Sequence, residues 1–128
     1  MKSRTFETTN NYKLTIKNRK SAVIFEIEEE QANKHYQYWF AFTPDGFIDF
    51  IKYIEKIANE SWVNLQPKEA DSLGSDYYEY YDRELDNNGY LRIKNNGLLI
   101  ERPSLESNRL YQFNKKKMES FIYDLRGK

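Results

Sequence analysis

The sequence predicts an α+β fold. It consists of two repeated β-β-β(-β)-α units with antiparallel sheets, each closed by a C-terminal helix, joined as a pseudo-dimer. Three observations lead there. Residues 10–18 read NNYKLTIKN and residues 87–95 read NNGYLRIKN, identical at six of nine positions. A second match follows in the same order, FTPDGFIDFIKYI from Phe42 against FNKKKMESFIYDL from Phe113. In each copy, apolar residues at every second position give way to apolar residues at helical spacing, which reads as strands followed by a helix. The offset between the copies falls from 77 to 71, a difference that belongs in a loop.

The elements can be justified in order. Leu14 and Ile16 alternate with Lys13, Thr15 and Lys17, as in a half-buried strand. After the polar turn Asn18-Arg19-Lys20-Ser21, Val23, Phe25 and Ile27 alternate with Ile24, Glu26 and Glu28. In the second copy Leu91 and Ile93 alternate with Arg92 and Lys94, and Asn96-Gly97 is the hairpin signal. These turns would set Lys13 opposite Glu26 and Arg92 opposite Glu101, ordinary cross-strand ion pairs. A third strand is YQYWFAF in one copy and RLYQF in the other, with Trp39 and Phe42 assigned to the core.

Thr43-Pro44-Asp45 then supplies an N-cap, a proline at the first helical position and an acid in the first turn. Phe47, Phe50, Ile51, Ile54, Ile57 and Ala58 form one apolar stripe, giving a helix over 44–59. Asn114 caps the second helix, over 115–126, with Met118, Phe121, Ile122 and Leu125 at the equivalent positions. An extra strand would lie within residues 3–9 and 76–85; the latter stretch, DYYEYYDREL, is also compatible with a helix. The chain is thus read as one domain, 1–128: repeat one at 2–60, an acidic connecting segment at 61–75, and repeat two at 76–128. One unit alone would have too small a core.

Composition narrows the chemistry. The 128 residues hold 20 Lys+Arg and 20 Asp+Glu, with a pI near 6.6, which argues against coating nucleic acid by bulk charge but leaves a local basic face open. With 16% aromatic residues, the core must be built largely from rings. No window reaches the roughly 18 apolar residues of a membrane span, and MKSRTFETTNNYK lacks the apolar stretch of a signal peptide. A cytoplasmic protein that does not bind membranes is the expectation. Without cysteine there is no disulfide framework, thiolate metal site or cysteine nucleophile.

The single histidine, His35, cannot supply a zinc site by itself and has no nucleophile turn near it, so it reads as a strand-end residue. The five glycines are too scattered for a phosphate loop. Glu28-Glu29-Glu30 and the pair Asp82 and Glu84 lie in polar segments, with no apolar pocket to push their pKa values apart. The expectation is no enzyme, no cofactor and no metal.

Charge is unevenly distributed. Residues 1–20 and 90–128 each carry a net +5, while 21–60 and 61–89 each carry −5. Both positive blocks contain the duplicated LxIKN strand. Its outward faces offer Lys13, Thr15 and Lys17 in one copy and Tyr90, Arg92 and Lys94 in the other. Arg19 and Lys20 lie at the turn, and Tyr12, Tyr36 and Tyr38 flank the strands. Basic residues interleaved with rings suit single-stranded DNA or RNA, because phosphates need cations and unstacked bases need flat apolar partners. Lys115-Lys116-Lys117 occupies a helix's first turn, where the dipole disfavours cations, a placement that points to an anionic partner.

A second reading is a non-enzymatic protein-binding module such as an inhibitor, immunity protein or adaptor. It would use the acidic, Tyr-rich segment 69–86 and its residues Tyr77, Tyr78, Glu79, Tyr80, Tyr81, Asp82 and Glu84. Small Lys/Asn/Tyr-rich chains are frequent on phages and mobile elements, which fits either reading. The molecule would be a monomer with internal pseudo-symmetry or a homodimer.

The order hairpin, further strand, capped amphipathic helix resembles the single-strand-binding transcriptional regulator superfamily. That group holds the Pur-alpha repeats, the Whirly proteins and the positive-cofactor-type transcriptional coactivators. Copy one looks most like the coactivator type. Tyr12–Lys20 stands for the basic strand and turn, Val23–Glu28 for the acid-flanked apolar strand, and Trp39–Ile54 for the short strand running into a polar-Pro-acidic helix start. The resemblance covers most of both copies, and its sharpest piece is Thr43-Pro44-Asp45. It implies curved antiparallel sheets, assembled from two units, that grip single-stranded DNA or RNA.

Overall fold

The computed structural model describes residues 2–28 and 35–127. Four strands, β1 (Lys2–Glu7), β2 (Lys13–Arg19), β3 (Ala22–Ile27) and β4 (Gln37–Ala41), precede helix α1 (Pro44–Ser61). Strands β5 (Glu79–Asp82), β6 (Asn87–Lys94), β7 (Gly97–Glu101) and β8 (Arg109–Phe113) precede helix α2 (Lys115–Gly127). The fold is α+β, with two four-stranded antiparallel sheets in the orders β1-β2-β3-β8 and β4-β7-β6-β5. Each sheet takes three strands from one stretch of chain and its fourth from the other: β8 pairs with β3, and β4 pairs with β7.

Both sheets turn one face into a single hydrophobic core. In the first sheet, alternation buries Leu14 and Ile16 of β2 and Val23, Phe25 and Ile27 of β3. Phe50 of α1 and Phe121 of α2 both pack on Phe25, each with ring centroids 6.1 Å away. The second sheet contributes Tyr38, Phe40, Leu91, Leu98 and Ile100. Tyr80 meets Tyr111 of β8 at 4.4 Å, a ring contact between the two sheets.

The helix starts form as the caps require. Thr43 Oγ1 accepts from the Gly46 amide at 3.0 Å, and Asn114 Oδ1 accepts from the Lys117 amide at 2.9 Å. Phe42, just before the first cap, packs against Phe47 one turn into α1, a hydrophobic staple. Residues 79–82 form a strand, with Tyr80 and Asp82 inward and Glu79 and Tyr81 outward. The connecting segment lies against α2, where the Glu119 carboxylate accepts from the Gln66 amide at 2.9 Å and its carbonyl from the Lys68 amide at 3.3 Å.

The hairpin registers differ from expectation by two residues. Thr15, not Lys13, stands opposite Glu26, and Tyr90, not Arg92, stands opposite Glu101; Arg92 faces Leu99. Tight two-residue turns cause the difference. Lys20-Ser21 joins β2 to β3 and Asn95-Asn96 joins β6 to β7, with Ser21 at φ 63° and Asn95 at φ 54°. Asn tolerates that left-handed conformation, so the second turn needs no glycine. Gly97 instead opens β7, where a Cβ would stand 2.6 Å from Trp39 Cη2. Among the described residues, no helix is long and apolar enough to cross a membrane.

Candidate nucleic-acid interface

The outward face of the second sheet follows from its register. Gln37, Glu101, Tyr90 and Glu79 form one row across the four strands. Trp39, Leu99 and Arg92 form the next, and Ala41, Gly97 and Lys94 a third. Successive rows are two residues apart, roughly 7 Å, so the face passes from an acidic row through rings and apolar groups to a basic row.

A groove of about 450 Å³ opens on this face, lined by Tyr78, Tyr90, Arg92, Leu99, Glu79 and Glu101 among others. The Arg92 guanidinium lies over the Tyr78 ring, 5.0 Å from its centroid, a contact worth about 0.5–1 kcal/mol at an exposed site. The ion pairs of the described residues engage other cations and leave Arg92 and Lys94 without a carboxylate partner. Trp39, expected in the core, is half-buried on this outward face, its ring seated over Gly97. Phe42 is buried as expected. The sequence carries no local signal for the Trp39 seat, because Gly97 meets Trp39 only across the β4–β7 pairing.

The expected binding residues divide between the sheets. Lys13, Thr15, Lys17 and Arg19 point outward from β2 in the first sheet, and Lys20 is exposed in the following turn. Their neighbourhood is polar rather than aromatic: Thr15 Oγ1 lies 2.9 Å from Thr5 Oγ1, and Lys17 Nζ is 2.8 Å from Glu26. Tyr90, Arg92 and Lys94 point outward from β6 in the second sheet.

Tyr36 is exposed beside the start of β4, but Tyr38 is only 1% exposed and cannot offer its ring to a base. Tyr38 turns inward because β4 alternates, packing against Tyr12 at 5.3 Å and beneath the Arg102 guanidinium at 5.6 Å. Burial raises its hydroxyl pKa, partly opposed by Arg102.

The acidic, Tyr-rich segment is largely engaged within the fold. Tyr77, Tyr80 and Asp82 are buried. The Tyr77 hydroxyl donates to Asp124 at 2.7 Å, and burial followed by that carboxylate drives its pKa far above the usual tyrosine value. Burial and then Asp82 do the same to Tyr80. Asp82 and Glu84 receive Arg109 at 2.8 and 3.3 Å, and Tyr81 donates to Asp86. Tyr78, Glu79, Tyr81 and Glu84 are the exposed members of the proposed epitope.

Lys117 also has an internal reason for its place in the first turn of α2. Its Nζ donates to the carbonyls of Asp76 at 2.9 Å and Glu79 at 2.6 Å, and burial lowers the pKa of its amine. It therefore anchors the approach to β5, and the placement of this lysine does not require an external anion.

His35 is exposed, edge-on to Tyr38 at 6.3 Å. Glu29 and Glu30 lie outside the described residues. Among the described residues, no group of three or more His, Cys, Asp or Glu side chains is arranged to hold a metal ion. No family model, curated protein or solved structure matches the chain.

Proposed function

We propose that this chain is a non-enzymatic single-stranded nucleic-acid-binding protein, and that the outward face of the β4-β7-β6-β5 sheet is its binding surface. The observation that carries the reading is the stacking of Arg92 on Tyr78, with Tyr90, Trp39 and Lys94 on the same face. Exposed tyrosines at Tyr78 and Tyr90 beside cations without a carboxylate partner match the two demands of an unpaired strand, base stacking and phosphate neutralisation. The first sheet fits less well, since Lys17 is already paired with Glu26 and no ring accompanies it on β2.

In the same reading the chain is an internal duplication. Residues of β1 through α1 form one copy and those of β5 through α2 the other, with β4 and β8 exchanged between them. The paired caps Thr43 and Asn114, and the meeting of Phe50 and Phe121 on Phe25, support this. So does the resemblance to the single-strand-binding transcriptional regulator superfamily. The protein-binding alternative draws less support, because Tyr77, Tyr80 and Asp82 face inward.

Titration with labelled single-stranded and duplex oligonucleotides at two salt concentrations tests the proposal. Single strands should bind more tightly, and joint replacement of Arg92 and Lys94 by Ala should flatten the salt dependence by about 0.7 log–log units per lost phosphate contact. Tyr90→Ala should cost about 1–3 kcal/mol if a base stacks there, leaving the slope unchanged. Lys17→Ala should change neither. A wild-type chain that binds no single strand at low salt overturns the proposal.

A further inference from the structure

The groove on the second sheet is chemically lopsided. Tyr90 stands between Glu101 of β7 and Glu79 of β5 at the same register level. Strands in a sheet are about 4.8 Å apart, so the two carboxylates bracket the tyrosine within roughly 10 Å. Among the described residues, no hydrogen bond or ion pair occupies either carboxylate; the Glu79 backbone carbonyl accepts from Lys117, whose ammonium also feels the Glu79 charge. Lys94 lies four residues along β6 from Tyr90, roughly 13 Å away, with Arg92 between them.

This gradient fixes how a strand can lie, given the nucleic-acid reading on which the inference rests. Phosphates are repelled from the Glu79–Glu101 row and attracted to Arg92 and Lys94. A base stacked in the groove at Tyr78 or Tyr90 therefore has its phosphate on the basic side and its polar edge on the acidic side. An ionised carboxylate only accepts hydrogen bonds. Cytosine and adenine carry an exocyclic amine on that edge, and guanine carries an amine beside a ring N–H. Thymine and uracil present two carbonyl oxygens around a single N–H, and those oxygens face the carboxylates unfavourably.

We infer that the groove selects bases bearing an exocyclic amine and disfavours thymine and uracil. A carboxylate accepting from the cytosine amine is an established form of base discrimination, and unstacked bases expose the edge that allows it.

Fluorescence anisotropy of the full chain with 15-nucleotide dC, dA and dT oligonucleotides at pH 7.5 tests this. The dC-to-dT comparison decides, because it separates the amine from purine stacking. Wild type should bind dC about tenfold or more tightly than dT. Glu101→Gln supplies an amide that both donates and accepts, so dC affinity should fall, dT affinity should rise and the ratio should shrink. A gain on dT could not come from a merely damaged fold. Equal wild-type binding of dC and dT overturns the inference, as does a uniform gain on all three oligonucleotides in E101Q, which reports only the lost charge. Absence of binding to any of the three overturns the nucleic-acid reading itself.

Discussion

Arg109 of β8 and Asp82 of β5 meet guanidinium to carboxylate at 2.8 Å, joining the edge strand of one sheet to the edge strand of the other. The Asp82 side chain is 2% exposed and that of Arg109 21%. Removing the cation would strand a buried charge, whereas removing both partners would not. Arg109→Ala should therefore destabilise by about 3 kcal/mol, and adding Asp82→Ala should recover part of that loss. Urea unfolding of the two single variants and the double variant measures it, and strictly additive losses would count against the coupling.

Phe50 and Phe121 approach the same ring, Phe25, from two helices. Truncating either to Ala should cost about 3–5 kcal/mol, the range for a buried Phe. Thermal melts read the effect, and an unchanged midpoint in both variants would place these rings outside the core.

Gly97 is held by packing rather than by its backbone dihedrals. A Cβ there would lie 2.5 Å from the Phe40 carbonyl oxygen and 2.6 Å from Trp39 Cη2. Gly97→Ala should cost about 1–3 kcal/mol, the usual cost of overpacking. Adding Trp39→Ala should restore only part, since the backbone oxygen still opposes the methyl. Full restoration would mean that the indole alone sets the constraint.

Tyr77, Tyr80 and Tyr111 are held neutral, each primarily by burial, far above the ordinary tyrosine value of 10.0. Above pH 10 the unfolded chain releases these protons while the folded chain keeps them, so the folded state binds more protons and stability falls as pH rises. Below pH 10 this stabilisation is fully present. An alkaline titration should show a cooperative step in tyrosinate absorbance coincident with loss of far-ultraviolet circular dichroism. Release of all eleven tyrosine protons with the circular dichroism intact would contradict it.

The helices were legible because their determinants are local. Thr43, Asn114 and the stripes through Phe50 and Phe121 lie within a few residues of the backbone they govern. The partners of β4 and β8 were not legible, since their pairing with β7 and β3 joins distant parts of the chain and leaves no periodic mark. In the β6–β7 hairpin the register differs by two residues from that expected with Gly97 in the turn, because Asn95 adopts the left-handed conformation and Gly97 accommodates Trp39. Rings at Tyr38, Trp39 and Phe40 also defeat a simple apolar alternation. Hydrophobicity cannot say that Trp39 is the outward one, and with it went part of the candidate site. Arg92 and Lys94 could be read from β6 alone, whereas the Tyr78 ring beneath Arg92 comes from the chain just before β5.

The pairing of β4 with β7 and of β8 with β3 sets an order of completion for strands made from the N-terminal side. The four strands of the β4-β7-β6-β5 sheet have all been synthesised by residue 101, but β1, β2 and β3, made first, wait for residues 109–113. Throughout that interval β3 is an open edge, and the Phe25 ring lacks both Phe113 and Phe121. An unpaired apolar edge is a template for association with other chains. β1, β2 and β3 thus precede the strand that protects them, and any delay between completion of β7 and of β8 leaves the β3 edge open to association.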